Sequence, residues 1–100
     1  VSKLAVWKFP ATRDDDVEDQ FSIDMPRGAE ILAVQMQHGK PCIWALCDTE
    51  AKKEPRNFVW VGTGHEYPAR FYQGLSYVGT IQQAGGNLVF HLFEETRGQS

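Results

Sequence analysis

Apolar residues recur every second position along most of this chain, in short runs bounded by Gly, Pro, Asn and Asp. That period belongs to strands, whose successive side chains point to opposite faces. Lys3–Phe9 (KLAVWKF) is the first such run. In Phe21–Met25 the alternation is strict: Phe21, Ile23 and Met25 point one way, Ser22 and Asp24 the other. It predicts a strand with one wet face.

The strongest element is Ala29–Asp48, two β-rich runs flanking His38-Gly39. Gly supplies the positive φ of a two-residue hairpin turn. With His38 and Gly39 as the turn, Gln37 is predicted to face Lys40, Val34 Ile43, Ala33 Trp44, and Leu32 Ala45. A glycine bulge would shift this pairing by one. Both faces of the hairpin are apolar, with Leu32, Val34 and Met36 on one and Ile31, Ala33, Trp44 and Leu46 on or near the other. Such a pair is expected to be central, or covered on both sides.

Thr49–Arg56 reads as a polar loop and Asn57–Gly64 as the next strand. Pro68 and Gly74 bracket room for one helical turn near residues 68–73, Pro suiting the start and Gly the position beyond the end. A second hairpin joins LSYVGTIQQ to NLVFHLFEE around Ala84-Gly85-Gly86-Asn87, again apolar on both faces. The expected fold is therefore all-β: an antiparallel β-sandwich or small barrel of about seven strands, with at most one short helical turn. Residues 1–95 are expected to form a single domain and residues 96–100 a disordered tail. Two hairpins with two apolar faces each exceed what one thin sandwich buries, so an oligomer interface is a further expectation.

Composition narrows the function classes. The chain has 100 residues and a formal net charge of −3, with no basic stripe, so no direct nucleic-acid partner is expected. No apolar run approaches the ~18 residues of a membrane helix, and the first residues lack the apolar core of a signal peptide. Cys42 and Cys47, an odd number of positions apart on one strand, are predicted to face opposite ways and stay unbonded. Free thiols without a disulfide frame suit a reducing, cytoplasmic compartment. The acidic run Asp14-Asp15-Asp16 lacks the alternation and glycine of a calcium loop and reads as solvated.

VWK, P-x-G-A-x-I-L-x-V-Q, G-K-P-C-x-W-A-L-x-D, G-T-G-H, Y-x-G-T-x-Q and L-V-F-H-x-F run from Val6 to about Glu94. This pattern resembles a family of small uncharacterised proteins of tailed phages and prophage-bearing bacteria. The resemblance implies a phage or prophage origin and, by itself, no activity.

Catalytic constellations are not expected. His38, His65 and His91 share no short ligand spacing, the cysteines form no C-x-x-C, and no serine has a G-x-S-x-G context. The expectation is no enzyme, no metal and no cofactor. His91, between Val89 and Phe93 along the strand face, reads as a half-buried, hydrogen-bonded residue.

Gly62-Thr63-Gly64-His65 leaves two readings open. It is a strand end whose glycines let the chain turn sharply, or a partner-binding loop. In the second, Trp60, Thr63, Gly64, His65, Tyr67 and Arg70 are the candidate contacts, because aromatics with arginine favour recognition. Three functional expectations follow. The first is a non-enzymatic accessory protein that modulates a host protein. The second is an oligomer that sequesters a small anionic, nucleotide-like ligand. The third is a virion or assembly component.

Overall fold

The computed structural model describes residues 2–11 and 19–96. The acidic run at 14–16 and most of the expected tail lie outside them. Among the described residues seven strands follow one another: β1 (Leu4–Pro10), β2 (Gln20–Pro26), β3 (Glu30–Gln37), β4 (Lys40–Asp48), β5 (Lys53–Gly62), β6 (Leu75–Gln83) and β7 (Leu88–Glu95). They form two antiparallel sheets, one ordered β1-β4-β3 and the other β2-β5-β7-β6. The architecture is a sandwich rather than a closed barrel.

One apolar cluster joins the layers. Ile43, Ala45, Cys47 and Val34 enter it from the three-stranded sheet, and Phe21, Met25, Phe58, Trp60, Ile81 and Leu92 from the four-stranded one. The period-two pattern puts these residues on the facing surfaces. Beside this cluster, Arg56 Nε and Nη2 donate to the two Glu94 carboxylate oxygens at 2.6 and 2.8 Å. Arg56 Nη1 donates to the Ala29 carbonyl at 2.5 Å, tying the β2–β3 turn to the four-stranded sheet. The sheets touch closely where β3 passes β6. A Cβ built on Gly79 would stand 2.6 Å from Val34 Cγ1, so only glycine allows this approach.

The first hairpin turns at His38 (φ 52°) and Gly39 (φ 79°), and Gln37, Val34 and Ala33 pair with Lys40, Ile43 and Trp44 as predicted. The expected Leu32–Ala45 pair is not formed. A bulge lies between Ile31 and Ala33, and Ile31 takes the place opposite Ala45. Leu32 is the extra residue and stands half exposed.

The other departure concerns Thr49–Arg56. Instead of a loop throughout, β5 begins at Lys53. Among the described residues its first residues pair only with β2, since pairing with β7 starts at Asn57. Pro55 is tolerated there because, among the described residues, that stretch has no second neighbour needing its missing N–H. Period and charge conceal a strand whose polar start is paired on one side. The short helical turn is present at Ala69–Tyr72, and a second one, Ala84–Gly86, closes the β6–β7 hairpin.

Both cysteines are free and buried. Cys47 is in the core cluster and Cys42 is not, as alternation along β4 requires. Burial pushes the Cys47 thiol above its ordinary value, against the opposing pull of Arg56 and of a backbone hydrogen bond at Trp7. No helix among the described residues is long and apolar enough to cross a membrane.

Candidate functional site

The outward side of the four-stranded sheet is assembled from β5, β6 and β7 and from the segment joining β5 to β6. β5 ends at Gly62, and the chain reverses at once: the His65 N–H donates to the Gly62 carbonyl at 3.2 Å. Gly64 sits at φ 85°, a conformation that penalises a Cβ. Gly62 makes room in another way. A Cβ there would come within 2.9 Å of the His65 ring, which folds back over it. The G-T-G-H stretch is thus a tight turn.

The turn is fastened to β7. Thr63 N–H and Oγ1 both approach the Val89 carbonyl, at 3.2 and 3.3 Å. Thr63 Oγ1 also stands 2.7 Å from His91 Nε2. On the other side of the ring, His91 Nδ1 is 2.9 Å from Thr80 Oγ1, which is 2.5 Å from the Tyr77 hydroxyl. With a proton on Nε2, the donors can run in one direction. Tyr77 donates to Thr80, Thr80 to Nδ1, Nε2–H to Thr63, and Thr63 to Val89. The ring is held between two threonines.

An aromatic group lies beside this chain of hydrogen bonds. Tyr67 stacks on Phe71 with centroids 4.1 Å apart, and Tyr72 meets Phe71 edge-on at 5.2 Å. Phe93 of β7 receives Tyr72 at 5.8 Å and Tyr77 at 5.7 Å. The helical turn is thereby laid against the sheet by ring contacts. Val59 and Val61 of β5, which point outward, are buried. Arg70 is exposed on the helical turn, with no ion-pair partner among the described residues.

Five of the six expected contact residues therefore belong to this turn and segment: Thr63, Gly64, His65, Tyr67 and Arg70. Trp60 does not. It points between the sheets, with 8% exposure, and its indole N–H donates to the Ala11 carbonyl at 2.9 Å. Parity explains the difference, since Trp60 shares a face of β5 with Phe58 while Val59 and Val61 share the other. Tyr77, Thr80 and His91 join the site, and of these the sequence pattern singles out only His91. Their proximity depends on the register of β6 against β7, which shifts between Tyr77 and Gly79.

Both His91 ring nitrogens are engaged, and among the described residues no three His, Cys, Asp or Glu side chains could hold a metal ion. The arrangement offers ring faces, hydroxyls and one guanidinium, which are contact chemistry.

No curated protein and no solved structure matches the chain. A family model described as "Domain of unknown function (DUF7352)" matches residues 3–100. With the match extending over nearly the whole sequence, the chain belongs to the DUF7352 family.

Proposed function

We propose that this protein is a non-enzymatic accessory protein of phage or prophage origin that binds and modulates a host protein in the cytoplasm. The contact surface is the outward side of the four-stranded sheet, centred on Tyr72, Tyr77, His65 and Arg70. The observation that carries this reading is the exposed aromatic group fixed on the sheet: Tyr72 and Tyr77 are 38% and 59% exposed while both pack on Phe93. Rings held in place before binding lose little freedom on association, and tyrosine offers large contact area at low entropic cost. Arg70 adds a cation beside the rings, the combination enriched at energetic centres of interfaces. The origin in phages or prophages rests on the motif resemblance. Sequestration of a nucleotide-like ligand draws less support, because Trp60, the largest ring among the expected contacts, is inside the core and cannot stack on a ligand.

The test is affinity capture from host lysate followed by native mass spectrometry. His65→Ala with Arg70→Ala is expected to leave the melting temperature nearly unchanged, since exposed positions tolerate truncation within about 0.5 kcal/mol. Capture should fall at least tenfold, as loss of an interface centre costs about 2 kcal/mol or more. Gly64→Ala should do the reverse, costing roughly 1 kcal/mol of stability at its positive φ. Undiminished capture by the double variant rules out this surface. A retained small molecule in place of a stoichiometric protein moves the function to sequestration.

A further inference from the structure

Each sheet ends in two edge strands: β1 and β3 in one, β2 and β6 in the other. Among the described residues, three of these edges carry features that resist pairing with another chain. β3 has the bulge at Leu32 and passes close to β6 at Val34 and Gly79. β6 has its own irregularity between Tyr77 and Gly79. β2 exposes the charged Asp24 and ends in Pro26, which has no N–H. Bulges, charges and proline are the usual means of keeping an edge unpaired. β1 lacks them over Leu4–Lys8. It follows β4 without a register shift, and Leu4 and Val6 are exposed. Lys8 is charged, but its Nζ donates to Gln37 Oε1 at 2.7 Å, back across the sheet and away from the edge.

Two hydrogen bonds fix which main-chain groups of β1 are open. The Thr49 N–H donates to the Lys3 carbonyl at 2.9 Å, and the Ala11 N–H to the Pro41 carbonyl at 3.0 Å. Bonded and non-bonded pairs alternate along an antiparallel ladder, so Ala5, Trp7 and Phe9 also bond to β4. The N–H and C=O groups of Leu4, Val6 and Lys8 point the other way, to the free edge.

We propose that β1 is the edge at which a second copy of this chain pairs, β1 against β1, antiparallel about a two-fold at Val6. The row of open groups matches itself in that register. Val6 meets its copy and Leu4 meets Lys8 on either side, three pairs that exchange ~6 hydrogen bonds with none of these groups left over. Centring on Trp7 sets the Leu4 carbonyl against Pro10, which offers no N–H, and centring on Ala5 carries Lys8 past the strand to Ser2. Side chains agree with the Val6 register. Ala5 lies opposite Trp7, small against large, and each Lys8 lies opposite an aliphatic residue. Lys8 and its copy are ~13 Å apart along the strands, beyond the ~8–10 Å over which salt leaves charges coupled. The contact is one strand of about 23 Å, less than a standard interface, so association is weak, in the micromolar range. This pairing does not depend on the surface assigned above to a host protein, which lies on the other sheet.

Sedimentation equilibrium and amide hydrogen exchange of the full chain, between about 5 and 500 μM, test the pairing. Mass should rise from monomer to dimer and no further. The Leu4, Val6 and Lys8 amides should gain at least tenfold protection over that range, while those of Ala5 and Trp7, already bonded to β4, change little. Val6→Pro removes an N–H that the monomer does not use, and proline is tolerated at such edge positions. It should keep the melting temperature at 5 μM and weaken dimerisation at least tenfold. Val6→Lys, which sets like charges face to face on the two-fold, should do the same without a proline. Under mild oxidation Val6→Cys should cross-link to its copy. Leu4→Cys should not, since its copies stand ~13 Å apart and a disulfide spans at most about 7 Å. A parent that is monomeric at 500 μM overturns the proposal. So does a dimer whose Leu4, Val6 and Lys8 amides stay unprotected, or a folded Val6→Lys variant that dimerises like the parent. Leu4→Cys cross-linking as readily as Val6→Cys overturns the two-fold.

Discussion

Gly79 and Val34 show how one missing β-carbon sets the distance between two sheets. The 2.6 Å approach to Val34 Cγ1 involves a β-branched side chain that is itself buried and stiff at χ1. Gly79→Ala is expected to cost about 1–3 kcal/mol, the usual penalty of overpacking. A chemical-denaturation midpoint measures it, and Gly79→Ala with Val34→Ala should recover part of the loss. An unchanged midpoint for Gly79→Ala would falsify the close approach. Glu94 is the other residue whose role is local and large. Its carboxylate takes two hydrogen bonds from Arg56, which it holds more firmly protonated than usual by that bonding. Glu94→Ala leaves a mostly buried guanidinium without its counter-charge. The expected loss is about 3 kcal/mol, at the low end for a broken buried pair because the Arg56 side chain keeps 18% exposure. Arg56→Met with Glu94→Leu should restore most of it, since an apolar pair of similar volume needs no compensation for lost hydration.

At the scale of elements, the segment between β5 and β6 is the least regular of the described residues and the one that gives the four-stranded sheet its surface. Its helical turn has no buried residue, and its ring contacts to the sheet run through Phe93. Phe93→Ala removes the ring that receives both Tyr72 and Tyr77. The expected consequence is local: faster amide hydrogen exchange across residues 66–74, with the exchange of β4 and β5 changed much less. Uniform acceleration across all strands would mean that Phe93 supports the whole fold rather than this cover. The β3 bulge works at the same scale. By placing an extra residue at Leu32 it keeps Ile31 inward opposite Ala45 while Ala33 pairs with Trp44. Neighbouring residues that would otherwise alternate are thus re-aimed.

For the molecule as a whole, the arrangement is a core between sheets, one outward surface carrying rings and hydroxyls, and one outward surface carrying exposed aliphatics. The first is proposed to meet a host protein. The alternating pattern was enough to determine the class of fold, the two hairpins with their turns, and the opposite facing of Cys42 and Cys47. These follow from a side-chain period of two and from glycine at positive φ, both local properties of the chain. It also located Thr63, Gly64, His65, Tyr67 and Arg70 in one turn and segment, because they are neighbours in sequence. Whether Trp60 was contact or core was open, since a tryptophan beside a loop reads the same either way until a second sheet is placed over one face. Tertiary structure alone put it in the core. Tertiary structure also brought His91, Thr80 and Tyr77 to Thr63, through a strand register that shifts at Val78. And it alone decided which doubly apolar hairpin is covered. Period two assigns a side chain to one face or the other, but whether anything packs on that face depends on segments distant along the chain. Here Tyr67–Tyr72 lies against one sheet and leaves Val6 and Leu32 of the other in water.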